Sequence, residues 1–407
     1  VVPGKFVAQV NGVKYPSLEA AVEAAQAGET VTLLVDATGA GVIINKDVTI
    51  DFDGFTYSFN EGVGSTGTET NGFQILQGND VVLNNGKLEV AAEAADKFYI
   101  LVQNYANLTV KDMNLDGTNL DKWSLTDGDS YVLSNNSGTV TITGATNITA
   151  NNDGDKAFAF DVCKYANYAV PTVNVNTTGI IDGKIEVSSA IPTNLNISGG
   201  LFTNEIEDEW CAEGYIPTTI VVDGITYYTV KLGEYVAQVG DKKFELFDEA
   251  FAYAKSTTDN DAITILKTIV LSETKTIDFE NIAVTSTVNP AFRITNDAII
   301  TVENGNMNTE NGGYNFILGA SDGSSTGNLT IKSGKYHAST TVASVTKGNL
   351  AIEGGEFSAT PYNGSYAFLI NCIDANYTNG SATVSIIGGT CHNWNPQNNA
   401  AEGTGTD

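Results

Sequence analysis

Apolar and polar residues alternate from Ala8 to Tyr15 around a central Asn11-Gly12, the pattern of a two-residue hairpin whose turn residues both need positive φ. The period then changes. Leu18, Ala21, Val22 and Ala25 stand at i, i+3, i+4 and i+7, which predicts one short amphipathic helix with Ser17 as N-cap and Gly28 just past its end. Beyond it the chain becomes a series of short runs with alternate apolar positions, punctuated by Asn and Gly: Val81-Val82-Leu83, Leu108-Thr109-Val110, Val140-Thr141-Ile142, Val173-Asn174-Val175 and Leu195-Asn196-Ile197. Each predicts a strand of three to five residues. The step from Leu329 to Leu350, 350 − 329 = 21, suits one turn of a parallel β-solenoid, and the longer step from Leu108 to Val140, 140 − 108 = 32, implies a protruding loop. Asn and Gly accept the left-handed corners of such a stack, and Thr and Val its pleated faces. A sandwich of immunoglobulin-like domains is the rival, but it needs hairpins throughout. Here hairpin signals concentrate at the ends of the pattern.

The whole pattern occurs twice. Gly4-Lys5-Phe6-Val7-Ala8-Gln9-Val10 returns as Gly233-Glu234-Tyr235-Val236-Ala237-Gln238-Val239, and the helical face returns as Phe247, Ala250, Phe251 and Ala254. Cys163, Ala166, Asn167 and Tyr168 return at the same spacing as Cys372, Ala375, Asn376 and Tyr377. The expected modules are 1–232, closed by Gly199-Gly200-Leu201-Phe202, Trp210 and a hairpin around Asp223-Gly224, and 233–407, which reaches Gly388-Gly389-Thr390-Cys391 without a matching hairpin. The chain therefore reads as a segment of a longer protein. Each short helix is expected to cover the end of a sheet stack, where open strand edges need protection.

Composition narrows the function. With 42% hydrophobic residues the chain can bury a core in each module, and no apolar run approaches the length of a membrane span. The formal charge is −28 with 20 Lys plus Arg, so nucleic acid is not an expected partner, and the acidity reads as solubility and self-repulsion. Four cysteines do not make a disulfide scaffold in a chain this long. Cys163 and Cys372, as repeat equivalents, are expected in one core-facing place. Cys391 replaces Phe202, another inward position; it lies near one turn from Cys372, which leaves both a stacked disulfide and a free pair open.

Candidate chemistry is sparse. A polysaccharide lyase of this shape needs a cation beside a uronate, often with calcium, but the lone arginine, Arg293, stands among strand residues with no carboxylate cluster around a basic group. Asp127-Gly128-Asp129 and Asp153-Gly154-Asp155 are the nearest paired acids for a hydrolase or for calcium. Asp-Gly is first of all turn chemistry, and the twelve-residue calcium loop with its terminal Glu is missing. His337 and His392 lack partners at metal spacing. Trp123 and Trp394, flanked by polar residues in loops, are candidates for stacking on sugar rings, against the simpler reading that each packs its own loop.

The run Val7-Ala8-Gln9-Val10-Asn11-Gly12-Val13-Lys14-Tyr15-Pro16-Ser17-Leu18-Glu19-Ala20-Ala21-Val22, with Ala27-Gly28-Glu29-Thr30-Val31-Thr32-Leu33-Leu34 behind it, resembles the opening of right-handed parallel β-helix modules in large surface proteins of gut bacteria and in structural proteins of their phages. The closing Gly199-Gly200-Leu201-Phe202 with Trp210-Cys211-Ala212-Glu213-Gly214-Tyr215 is similar to the ends of those modules, as is Gly388-Gly389-Thr390 with Asn393-Trp394-Asn395-Pro396. The resemblance covers nearly the whole chain but implies an architecture with many hosts and no catalytic residues. The expected fold is all-β, two tandem right-handed parallel β-helix modules, each opened by a hairpin and a short capping helix. The expected function is a non-enzymatic elongated surface or fibre protein, extracellular or on a virion, that projects, coats or adheres to glycan without inserting in a membrane. Further modules, an anchor, virion proteins or a second copy are the other partners it implies. The alternatives are a phage fibre or capsid decoration protein, and a polysaccharide lyase or glycoside hydrolase.

Overall fold

The computed structural model describes residues 6–121, 129–151, 156–257, 261–361 and 368–392. The protein is all-β, with about half of its residues in strands and few in helices. Its contacts divide it into two units, Val1–Gly233 and Glu234–Asp407.

In the second unit three consecutive strands, Ile263–Ile265, Ile269–Leu271 and Lys275–Asp278, lie in three different sheets. The next three, Val284–Ser286, Phe292–Ile294 and Ile299–Glu303, pair with them parallel and in the same order. This rotation continues to Ala382–Ile386 and Thr390–Cys391. Leu329 pairs with Leu350, so the 21-residue step in the sequence is one return to the same sheet. The longer step from Leu108 to Val140 is a register pair too. Among the described residues, antiparallel strand pairs occur only where a unit opens and in the hairpin that closes the first. That pattern excludes the sandwich, which hairpins would link throughout.

The first unit has one sheet of six strands, from Val42–Ile44 to Lys184–Val187, and one of 14. Strand length departs from expectation there. Asp80–Val90 and Asn107–Asp116 run 11 and 10 residues, because Asn85 (φ 58°) and Asp112 (φ 52°) bend each strand while the ladder continues on both sides, Asn84 with Lys111 and Gly86 with Met113. The short polar side chains of Asn and Asp tolerate this left-handed conformation. In the second unit Asn304 (φ 49°) makes the same corner, but there it separates Ile299–Glu303 from Gly305–Thr309 and two sheets stay distinct.

Alternating inward residues fill each core. In the second unit Phe292 stacks on its register partner Phe316 at 5.7 Å, and Tyr336 on Phe357 at 5.3 Å. Helix α1 (Leu18–Ala24) is capped as its sequence predicts: Ser17 Oγ accepts from Ala20 N at 3.1 Å, and Leu18, Ala21, Val22 and Ala25 are buried. Helix α2 (Phe247–Ser256) buries Phe247, Ala250 and Ala254, with Phe251 half-buried. In the turns of both predicted hairpins, Asn11-Gly12 and Asp223-Gly224, all four residues have positive φ. The closing hairpin Tyr215–Val222 with Ile225–Leu232 adds to the large sheet through Phe202 and Tyr228, and Trp210 packs against the core beside it.

Candidate functional site

The site starts from a buried asparagine. Asn104 ends the strand Ile100–Asn104, fully buried, where its Oδ1 accepts from Ala106 N at 3.1 Å and its Nδ2 donates to Ala106 O at 2.9 Å. These bonds satisfy backbone groups that burial would otherwise leave unpaired, and they fix the turn carrying Tyr105. On the loop after Ala157–Val162, Tyr168 N donates to Tyr165 O at 3.0 Å and Ala166 adopts φ 46°. The three tyrosines meet as one patch, with ring centroids 4.8 Å apart for Tyr105 and Tyr168, 6.1 Å for Tyr165 and Tyr168, and 6.2 Å for Tyr105 and Tyr165. Tyr165 is 52% exposed. Burial, reinforced by the neighbouring tyrosines, pushes the Tyr105 hydroxyl up to about 12, so it keeps its proton at neutral pH.

Tyr105 also lines a groove of ≈ 370 Å³ to which Asn107, Thr139, Val170 and Thr172 contribute. It adjoins a second groove of ≈ 360 Å³ that shares Asn107 and Thr139 and adds Asp80, Thr109 and Thr141. Strand register builds the floor: Asp80 pairs with Asn107, and Thr139 with Thr172, on successive parallel strands. Side chains tie them together. Asn107 Nδ2 donates to Asp80 Oδ1 at 2.8 Å and Thr139 N to Asn107 Oδ1 at 3.0 Å. Asp80 is the one carboxylate among the lining residues, and none of them is Lys, Arg or His.

Two titratable clusters lie elsewhere in the first unit. Oxygens of Asp161 and Glu186 and the Cys163 sulfur lie within 4.8 Å of one another. Asp161 is buried. Desolvation, helped by Glu186, pushes its carboxyl up to about 8 against hydrogen bonds from Asn135 N and Ser134 that favour the charged form. Burial, then the same carboxylates, pushes the Cys163 thiol up to about 12. Tyr131 donates to Glu186 Oε2 at 2.7 Å. The second cluster corrects the expectation that no carboxylates gather at a basic group: Lys87 Nζ lies 2.6 Å from Glu89 and 2.8 Å from Asp116. Burial works to lower the Lys87 pKa, but its bonds to Asp116 and Glu89 outweigh that and hold it above the usual value. The spacing of these residues in sequence hides the cluster, because Glu89 and Asp116 meet only through register.

The residues singled out in sequence fare differently. Trp123, Trp394, Asp127, Asp153 and Asp155 lie outside the described residues. Asp129 is half-buried, with its carboxylate 3.7 Å from Lys156. Arg293 donates to Gly319 O at 3.2 Å. His337 bonds Ser358 at 2.8 Å, and His392 sits 3.0 Å from Glu356. Cys372 and Cys391 pack against the second core as free thiols, on strands of different sheets, so they do not stack. Cys163 departs from its repeat equivalent, because its sulfur lies 3.9 Å from the Glu186 carbonyl beside two carboxylates. The tyrosine patch escaped the sequence reading: Tyr105 lies sixty residues before Tyr165, and only the parallel stacking brings them together.

Comparison with known proteins returns nothing: no family model matches the chain, no curated protein matches it and no solved structure matches it, so the likeness to β-helix modules rests on its sequence alone.

Proposed function

We propose that each unit is a right-handed parallel β-helix and that the chain is a non-enzymatic extracellular surface or fibre protein, bacterial or virion-borne, that adheres to glycan. The observation that carries this reading is the groove over Asp80, Asn107 and Thr139, whose walls offer hydroxyls, amides and the Tyr105 ring but a single carboxylate. Cleaving a glycosidic bond takes two carboxyl groups, one on each side of it. Lyase chemistry takes a base that can give up its proton, and Lys87 is held protonated by its ion pairs. The surroundings therefore support holding a polymer and not cutting it. The test pairs two assays on the whole chain: retention of the labelled protein on glycan-coated surfaces, and release of reducing ends or unsaturated products from the same glycans. Retention without release is the expected result, and turnover of any retained glycan overturns the reading.

A further inference from the structure

The tyrosine patch and the groove that shares Tyr105 with it have a more specific chemistry than adhesion at large. We infer that the groove lined by Tyr105, Asn107, Thr139 and Thr172, extended by Tyr165 and Tyr168, whose rings pack against Tyr105, binds an uncharged polysaccharide, with the sugar chain lying across successive parallel strands and one end stacked on the tyrosines. This inference rests on the adhesive reading above and names its ligand.

Three observations lead to an uncharged ligand. The lining residues include no Lys, Arg or His to pair with a uronate or sulfate. Their one carboxylate, Asp80, has Asp47 beside it, whose Oδ1 accepts from Asp80 N at 2.8 Å. The whole chain carries a formal charge of −28. Over this floor an acidic polymer would meet like charge and leave its own charge unpaired, the exposed Lys164 of the neighbouring loop being outside the lining. A neutral sugar asks for what is there: hydroxyls and amides that both donate and accept, and flat rings whose faces receive the C–H face of a pyranose.

The direction of the chain follows from the spacing of the strands. Asp80, Asn107, Thr139 and Thr172 belong to four successive parallel strands, which repeat about every 4.8 Å. A pyranose in a linear chain advances by a closely similar length, so sugars running across the strands keep step with the polar groups. Running along a strand they would not, because side chains there alternate between the groove and the core. The loop from Cys163 to Pro171 contributes Ala169 and Val170 to the lining, and its Tyr165 and Val170 are 52% and 36% exposed. A proline-rich peptide also stacks on tyrosines, but it offers few donors for the Asn and Thr floor.

The test is affinity electrophoresis of the full chain in gels cast with neutral polymers (mixed-linkage glucan, galactomannan, xyloglucan) and with acidic ones (polygalacturonate, alginate), alongside titration with a proline-rich peptide. Retardation by at least one neutral polymer is expected. Tyr168→Ala and Tyr165→Ala should each weaken it about tenfold, equivalent to about 1.4 kcal/mol, while Tyr168→Phe retains it. Tyr377→Ala, an exposed tyrosine of the second unit outside the groove, serves as the control and should change nothing. Affinity for oligosaccharides of the retained polymer should rise up to about four sugars, one per strand, and then level off. Retardation by acidic polymers alone, binding of the peptide alone, or neutral binding indifferent to both alanine variants overturns this inference and leaves adhesion standing. Failure to bind any polymer or cell surface removes both.

Discussion

Gly348→Ala is the sharpest probe of how closely the parallel strands of the second unit approach. Gly348 opens the strand Gly348–Ile352 directly over its register partner Gly327. Its φ is +124°, outside the region an L-residue adopts, and a Cβ there would overlap the Gly327 carbonyl oxygen, with the Gly327 carbonyl carbon and nitrogen at 2.8 and 2.9 Å. The obstacle is backbone on both sides. Gly327 N donates to Lys347 O at 3.0 Å and Gly348 N to Ser381 O at 2.9 Å, so moving apart breaks the bonds that hold three strands together. Backbone strain of this kind costs about 1–3 kcal/mol, and forced overpacking about 1–3 kcal/mol more. The sum, roughly 2–6 kcal/mol, is a large share of the ~5–15 kcal/mol that stabilises a typical domain. Gly380→Ala separates the two contributions, because Gly380 also has positive φ (+80°) but no atom within 4 Å of its would-be Cβ. It should cost only the left-handed penalty of about 1–2 kcal/mol. Differential scanning calorimetry of the full chain reads both, at about 2–4 °C per kcal/mol for a unit of this size. If Gly348→Ala melts no lower than Gly380→Ala, the close approach deduced from register is wrong.

Asp161 gives the first unit a pH dependence of unusual sign. Its folded pKa of about 8 lies above the ordinary 3.8, so between those values the unfolded chain releases a proton that the folded chain keeps. Stability is therefore full below about pH 4 and falls by up to about 1.4 kcal/mol per pH unit towards pH 8, and urea melts of Asp161→Asn across that range should lose this slope. Asn104→Ala leaves the buried Ala106 amide and carbonyl without their partner and should lower the urea stability of the first unit by about 2–3 kcal/mol. Burial and neighbouring carboxylates push the Cys163 thiol up to about 12 and the Cys372 thiol up to about 11. Mass-spectrometric timing of alkylation at pH 8 should then find Cys372 roughly a hundredfold and Cys163 roughly a thousandfold slower in the folded than in the unfolded chain.

Much of the fold was legible because its signals are local or periodic. Ser17 and the Leu18, Ala21, Val22 and Ala25 stripe specify α1 through bonds and contacts within a few residues. The return of apolar alternation from Leu329 to Leu350 and from Val173 to Leu195 marks true register pairs, since one buried face per strand fixes pairing to the hydrophobic pattern. Strand ends were less legible. Asn85 and Asp112 carry the punctuation of a turn, yet the ladder passes straight through them in the first unit, and only neighbouring strands decide whether a corner ends a strand or bends it. The site was hardest to read. Tyr105, Tyr165 and Tyr168 form a patch, and Asp161, Cys163 and Glu186 a cluster, through stacking of segments that nothing in the local sequence connects. The sequence drew attention to tryptophans and Asp-Gly pairs because those residue types are conspicuous singly.

The unequal returns of the chain have a consequence for how such a protein can change. Leu108 reaches its partner Val140 after 32 residues and Leu329 reaches Leu350 after 21, yet both pairs sit in the same kind of ladder. Closing a flexible loop of twice the length costs only about 0.6 kcal/mol, so added residues burden the scaffold lightly as long as they leave and re-enter at a corner. The tyrosine-bearing segment after Ala157–Val162 is such an excursion, spanning the gap before Thr172–Asp182. Recognition in this architecture can be rewritten by exchanging one loop at a time, and a binding segment grafted between two returns should find its support already in place.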